Sequence, residues 1–169
     1  MEGKGSDESD AYATFNPHMS IAALTTIEKM MLVRALPLFH VLAPDDLEEI
    51  TAIAAEKTFQ PGDYLCRTGE AGNSVYVIIR GTVRVFTGAT QEEGILSQLG
   101  AGSYLGEMAV LDSSPRSASA VAMEKTRVLE LPGEEFKDLM YARPAISASV
   151  ITNLVGRLRT LIQKAHAPK

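Results

Sequence analysis

The chain has 169 residues, of which 46% are hydrophobic and 22% charged, and its formal net charge is −5. This length suits one domain with its own hydrophobic core. The single cysteine, Cys66, excludes an internal disulfide framework, and the three histidines lack the spacing of metal ligands. No apolar run is long enough to span a membrane, and the N-terminus lacks an apolar signal core. We therefore expect a cytoplasmic protein, and the acidic balance disfavours a general nucleic-acid binder.

The first 19 residues are polar, acidic and without periodicity. Four carboxylates against Lys4 give this segment a net charge of −3, so the rest of the chain carries only −2. Low hydrophobicity combined with clustered charge predicts disorder. We therefore divide the chain into a disordered acidic tail, residues 1–19, and one folded domain, residues 20–165.

Two helices are predicted before any strand. Apolar residues at helical spacing over residues 20–34 predict the first helix, and Pro37 stops it because proline cannot continue a helix. The second helix is expected to begin at Pro44, since proline is favourable at the first helical position. Asp45 and Asp46 favour the same start through the helix dipole, and the helix is expected to end near Ala54.

Short apolar runs separated by glycine-rich turns follow, and they predict antiparallel β-structure. The expected strands are 57–59, 64–67, 74–79, 82–86, 95–99, 118–122 and 127–131. Gly81, between the third and fourth strands, predicts a two-residue hairpin there. Many short strands at even spacing are typical of a small antiparallel roll or barrel. Cys66, inside a predicted strand, is interpreted as a buried thiol.

Two further helices are predicted at the end, over residues 133–141 and 144–164. The longer one carries a heptad-like stripe: Ser147, Ile151, Leu154, Leu158, Leu161 and Ala165. Such a stripe either packs on the roll of its own chain or serves as a movable lid or a dimer seam. The basic residues Arg157, Arg159 and Lys164 on the same helix are interpreted as a solvated face.

The segment from Gly106 to Ala118 has residues suited to a sugar phosphate. Gly106 lets a ligand approach the backbone, and residues 107–111 can form a helical turn with N–H groups free for an anion. Arg116 offers a fork for two phosphate oxygens, beside the Ser117 hydroxyl and the Ala118 N–H. Glu107 only accepts hydrogen bonds, which suits a sugar hydroxyl. The plainer alternative is a solvated turn with a Glu107–Arg116 surface salt bridge.

This segment closely resembles the phosphate-binding cassette of the cyclic nucleotide-binding domain family. That family includes the bacterial catabolite activator, the regulatory subunits of cyclic-nucleotide-dependent kinases, and gated channels. Residues 36–39, 59–63, 69–72 and 75–85 extend the similarity over most of the chain. The resemblance implies a mainly β fold, in which N-terminal helices and a C-terminal lid helix flank a jelly-roll-like antiparallel β-roll.

The resemblance also implies roles for individual residues. Arg116 is expected to pair with the cyclic phosphate, and Glu107 to accept from the ribose 2′-hydroxyl. The residues implied to line the phosphate are Gly106, Met108, Ser117 and Ala118. Those implied to cover the base are Leu158, Leu161 and Ile162. An apolar cover of this kind stacks on a purine but reads little of its edge.

The implied function is a regulatory sensor that binds a cyclic nucleotide and transmits binding by movement of its last helix. In this family a hydroxyl beside the phosphate arginine can help to hold cGMP, but a serine there also occurs in domains that bind cAMP. We expect cAMP ahead of cGMP. The alternative is a degenerate, ligand-free domain that acts as an oligomerisation or scaffold module. We expect no cofactor and no enzyme activity. We also expect no DNA binding, since no residues remain for a helix-turn-helix. The expected protein partners are a second copy, through the last helix, or an effector domain outside this chain.

Overall fold

The computed structural model describes residues 23–166, so the predicted acidic tail lies outside the described residues. The helices are α1 (Thr26–Ala35), α2 (Pro44–Ile53), α3 (Glu107–Asp112), α4 (Gly133–Ala142) and α5 (Pro144–Ala165). The strands are β1 (Ala55–Phe59), β2 (Tyr64–Cys66), β3 (Ser74–Arg80), β4 (Val83–Phe86), β5 (Ile95–Leu99), β6 (Tyr104–Leu105), β7 (Ser119–Ala122) and β8 (Thr126–Pro132).

The second N-terminal helix begins and ends close to where the sequence places it, whereas the first begins at Thr26, later than the predicted residue 20. A capping box starts α1: the Glu28 N–H donates to Thr25 Oγ1 at 3.3 Å, and the Thr25 N–H donates to Glu28 Oε2 at 2.8 Å. The helix ends before Pro37 because a proline cannot continue it. Pro44 is the first residue of α2, as predicted.

The strands form two four-stranded antiparallel sheets, ordered β1-β8-β3-β6 and β2-β7-β4-β5. Successive side chains of β3 alternate between two hydrophobic clusters. Val75 and Val77 pack with the helices, whereas Tyr76 and Ile78 pack with residues of the second sheet. This double burial explains the uninterrupted apolar sequence of β3, and the predicted antiparallel roll with flanking helices is confirmed.

The predicted hairpin at Gly81 is wrong, because β3 and β4 belong to different sheets. Gly81 does adopt a positive φ of 100°. A Cβ atom there would lie only 2.5 Å from Thr126 Oγ1 and 2.7 Å from Thr126 Cα. Glycine is therefore needed both for the backbone conformation and for the close approach of the chain entering β8, and the turn moves the chain between sheets.

The C-terminal helix α5 is buried only at its beginning. Ile146, Ser149 and Val150 are the buried residues of α5, and Ser149 Oγ donates to the Leu38 carbonyl at 2.7 Å. The heptad-like stripe faces elsewhere: Ile151 is 59% exposed, and from position 155 to 166 every residue is exposed. The alternative in which this stripe packs on the roll is therefore wrong, apart from the half-buried Ser147 and Leu154.

None of the described helices combines the length and the apolar character that a membrane-spanning helix requires.

Candidate functional site

Arg116 is an almost completely buried cation held by backbone carbonyl groups. Only 5% of the residue is exposed. Nη1 donates to the Gly106 carbonyl at 2.9 Å, and Nη2 donates to the Ser74 carbonyl at 2.6 Å. Nε is buried without a hydrogen-bond partner, and within residues 23–166 no carboxylate forms an ion pair with this side chain. The guanidinium is therefore oriented by neutral dipoles, and its charge remains available to an anion.

The backbone on both sides of Arg116 is fixed by the turn between β2 and β3. The Arg116 N–H donates to the Glu70 carbonyl at 2.8 Å, and the Gly69 N–H donates to the Arg116 carbonyl at 2.9 Å. The neighbouring Pro115 forms an isolated bridge with Ala71. Residues far apart in sequence thus fix the backbone of Arg116, which limits the positions that its guanidinium can reach.

Gly106 is required by the arginine itself, in addition to the ligand approach that the sequence suggests. Its φ is +92°, a conformation that side chains rarely adopt. A Cβ atom there would overlap Arg116 Nη1 and lie 2.8 Å from the Ser74 carbonyl oxygen. The glycine thus allows its own carbonyl to accept the arginine's hydrogen bond.

Glu107, the first residue of α3, pairs with α5 rather than with Arg116. Its carboxylate accepts from Nη1 of Arg157, and only 5% of its side chain is exposed. The alternative of a Glu107–Arg116 surface salt bridge is therefore wrong. Arg157 is exposed, in keeping with the solvated-face interpretation, but its guanidinium also pairs with Glu107, which is 50 positions away in sequence.

A second polar contact joins α5 to the same region. The hydroxyl of Tyr104, the first residue of β6, donates to Asn153 Oδ1 at 2.5 Å and accepts from Arg157 Nη1 at 3.3 Å. Burial raises the pKa of Tyr104, and the neighbouring Arg157 opposes that rise. Partial burial, the largest single cause, lowers the pKa of Arg157, but the charges and hydrogen bonds of Glu107 and Tyr104 together outweigh it, so the net shift is upward. The contact therefore joins a neutral phenol, a buried carboxylate and a permanent cation.

The remaining predicted phosphate-lining residues surround Arg116 with varied exposure. Met108 is 59% exposed and Ser117 is exposed, whereas Ala118 is half-buried. The Ala118 carbonyl accepts a weak hydrogen bond from Cys66 Sγ at 3.8 Å. Cys66 is buried as predicted, and desolvation raises the pKa of its thiol. Among the predicted phosphate-lining residues, Ser117 is the exposed one with a polar side chain.

The predicted base-covering residues lie further along α5 and do not reach this region in the structure. Leu158, Leu161 and Ile162 are 57%, 64% and 50% exposed, and none belongs to either hydrophobic cluster. Leu161 lies one turn beyond Arg157 along the same helix face. Their role as a cover for the base stays a prediction.

Several supporting residues carry no local signal in the sequence. Ser74 Oγ donates to Glu130 Oε1 at 2.7 Å, and Glu130 pairs with Lys57 at 2.5 Å. The ring of Tyr76 lies 5.8 Å from Arg116 Cζ. These residues come from three strands of one sheet, and only the fold shows that Ser74 and Tyr76 meet Arg116. Among residues 23–166 there is no group of three side chains that could hold a metal ion.

The fold and the buried arginine define a regulatory domain of the nucleotide-binding type. Residues 56–143, slightly more than half of the chain, match the family model described as "Cyclic nucleotide-binding domain". The chain belongs to the cyclic nucleotide-binding domain family, as the cassette residues predict.

Two relatives of this chain are longer proteins of different kinds, a receptor protein and an ion channel. It is 36% identical over 124 residues to the cyclic AMP receptor protein of Thermus thermophilus, covering 73% of this chain and 57% of that protein. It is 34% identical over 121 residues to a cyclic nucleotide-gated potassium channel of Mesorhizobium japonicum, covering 72% of this chain and 32% of the channel. The chain thus spans little more than half of the receptor and about a third of the channel.

A solved structure shows the same architecture. The catabolite activator protein of Thermus thermophilus superposes with a TM-score of 0.67 at 33% sequence identity, covering 76% of this chain and 61% of that chain. The two structures thus share one fold over about three quarters of this chain.

Proposed function

We propose that this chain is a sensor domain that binds a cyclic nucleotide through residues 106–118 and transmits binding by movement of α5. The observation that carries the proposal is the state of Arg116. A buried cation without a carboxylate partner, with its Nε unpartnered, is costly unless an anion compensates for it. A cyclic phosphodiester brings a single negative charge and two free oxygens, which the arginine fork matches.

The other residues of the site have separate roles in this proposal. Glu107 accepts from the ribose 2′-hydroxyl, for which a buried carboxylate is a strong acceptor. The backbone of Gly106, Met108 and Ala118 lines the phosphate, and the exposed Ser117 hydroxyl is free to rotate toward it. The apolar side chains at 158, 161 and 162 cover the base once α5 has moved.

We favour cAMP over cGMP as the ligand. The proposed base cover consists of Leu158, Leu161 and Ile162, which offer apolar contact and no hydrogen bond to the edge of a guanine. A relative that aligns over 73% of this chain is a receptor for cyclic AMP. Ser117 is compatible with either nucleotide, so the preference is one of degree.

The domain from residue 20 to 165 is proposed to act on a partner rather than on its ligand. A ligand shifts a conformational equilibrium only if it prefers one of the states, and here the position of α5 is the difference between states. The exposed apolar stripe of α5 offers a surface to a second copy or to an effector domain outside this chain. We place this binding role in the cytoplasm, in keeping with the free thiol of Cys66.

The test is calorimetric titration of the purified chain, freed of carried-over nucleotide, with cAMP and cGMP. We expect one site per chain and tighter binding of cAMP. Arg116→Ala is expected to lose roughly 3–5 kcal/mol of binding free energy, because the phosphate enters a desolvated site without its partner. Arg80→Ala is the matched control, since Arg80 is exposed at the opposite end of β3 from Ser74.

Two results would overturn parts of this proposal. Near-unchanged affinity in Arg116→Ala would remove the phosphate role from Arg116. Flat titrations with both nucleotides would favour the ligand-free oligomerisation module, for which the exposed stripe on α5 is the supporting observation.

A further inference from the structure

Four polar residues connect α5 to the region of α3 and β6. They are Tyr104, Glu107, Asn153 and Arg157, and we call this group the latch. Arg157 pairs with the Glu107 carboxylate and donates to the Tyr104 hydroxyl at 3.3 Å. One turn earlier on α5, Asn153 accepts from the same hydroxyl at 2.5 Å. Arg157 Cζ also lies 5.5 Å from the centre of the Tyr104 ring.

The two partners of the ion pair differ sharply in exposure. Only 5% of the Glu107 side chain is exposed, against 52% of the Arg157 side chain. A sugar hydroxyl cannot reach a carboxylate that is this completely covered unless a covering group moves. Arg157 is the group able to move, since its guanidinium can turn into solvent at little cost.

The second half of α5 has few other attachments to the domain. Beyond Leu154 every residue of the helix up to position 166 is exposed. Its first half is anchored by Ile146, Ser149 and Val150 in the core. The latch is therefore placed at the boundary between an anchored half and an exposed half, where losing it changes the freedom of the exposed half.

We propose that the ribose 2′-hydroxyl and Arg157 compete for Glu107, so that binding a ribonucleotide opens the latch and allows the second half of α5 to move over the base. This inference rests on the proposed function and adds the residues that link the sugar to the helix. Arg157 thereby determines specificity, because only a ligand with a 2′-hydroxyl has a group that displaces it. A 2′-deoxy ligand binds the phosphate site and leaves the latch closed.

The test compares cAMP with 2′-deoxy-cAMP on the full chain. Arg157→Ala removes the competitor, so we expect roughly three- to tenfold tighter binding of cAMP and unchanged binding of 2′-deoxy-cAMP. Tyr104→Phe removes the hydroxyl that contacts Asn153 and Arg157, and it is expected to tighten cAMP binding by a smaller factor. Arg159→Ala, an exposed arginine on the same helix with the same change of charge, is expected to leave both affinities unchanged.

Weaker cAMP binding in Arg157→Ala would overturn the competition, and so would an equal gain for both ligands. If the parent chain binds neither nucleotide, the proposed function fails, and the latch is tested without ligand. Amide hydrogen exchange over residues 155–161 should then be faster in Arg157→Ala than in Arg159→Ala. Equal exchange in the two variants would show that the ion pair does not hold the helix.

Discussion

At the scale of single residues, the site depends on how one arginine is held. Two backbone carbonyls orient the guanidinium of Arg116, and a left-handed glycine supplies one of them. Neutral acceptors fix a cation without cancelling its charge, whereas a carboxylate partner would do both. The arrangement thus favours an anion that arrives with the ligand over one that belongs to the protein.

The requirement for glycine at position 106 gives a direct prediction. Gly106→Ala is expected to lower the free energy of unfolding by about 1–3 kcal/mol, because the new Cβ meets Arg116 and the backbone stays left-handed. Urea denaturation measures the change. Gly100→Ala is the matched control, since a Cβ there meets nothing within 4 Å. Equal stability of the two variants would contradict the close contact described between Gly106 and the Arg116 guanidinium.

The sequence predicts the two central residues of the site but not their partners. Arg116 and Glu107 stand out because an arginine and a carboxylate frame a short segment rich in small residues. Ser74 lies 42 positions from Arg116, Arg157 lies 50 positions from Glu107, and Tyr104 lies 53 positions from Arg157. Contacts of such long range follow from the packing of α5 and the sheets, which the local sequence does not encode.

At the scale of elements, Glu130 of β8 ties three strands of one sheet together. It accepts from Ser74 of β3 and pairs with Lys57 of β1. Burial raises the pKa of Glu130, but the hydrogen bonds and charge of Lys57 and Ser74 outweigh burial and lower it below its ordinary value of 4.5. Glu130 therefore stabilises the fold above the unfolded-state pKa, and this contribution is lost as the pH falls through the lower native value.

Glu130→Gln tests this pH dependence. We expect a loss of about 1 kcal/mol in the free energy of unfolding at pH 7, from urea melts, because the charged acceptor is gone. The difference from the parent chain should shrink as the pH is lowered from about 5 to 3. Glu135→Gln, an exposed carboxylate on α4, should show no such trend. A pH-independent loss in Glu130→Gln would contradict the assigned cause.

Helix α5 has buried and exposed positions, and two of its isoleucines represent them. Ile146 is fully buried and Ile151 is 59% exposed. Ile146→Ala is expected to cost about 2–5 kcal/mol of unfolding free energy, as for other large buried side chains. Ile151→Ala should stay within about 0.5 kcal/mol of the parent chain. Urea midpoints measure both, and comparable losses would mean that the stripe packs on the domain.

The helical spacing of α5 predicts its existence and length but not its buried face. The heptad-like stripe and the buried set of Ile146, Ser149 and Val150 both repeat at helical intervals. Contacts with the turn after α1 determine which face is buried, since the Leu38 carbonyl accepts a hydrogen bond from Ser149, 111 positions away. A pattern within one helix carries no information about that neighbour.

At the scale of the whole molecule, the roll is built mainly from pairs of strands distant in sequence. Ala55 at the start of β1 lies opposite Glu130 of β8, and Tyr64 of β2 lies opposite Val121 of β7. Short strands, glycine turns and flanking helices predict this class of fold, whereas the pairing of strands follows from which faces are buried together. The error at Gly81 arises for this reason, because a tight turn fits a hairpin and a change of sheet equally well.

The central claim is that a cyclic nucleotide bound at Arg116 changes the state of α5. Amide hydrogen exchange across the whole chain, with and without saturating cAMP, tests it most directly. We predict slower exchange over residues 106–118, where the ligand is held, and over residues 158–162, which cover the base once α5 has moved. An exchange pattern that is identical with and without cAMP in both segments would contradict the account.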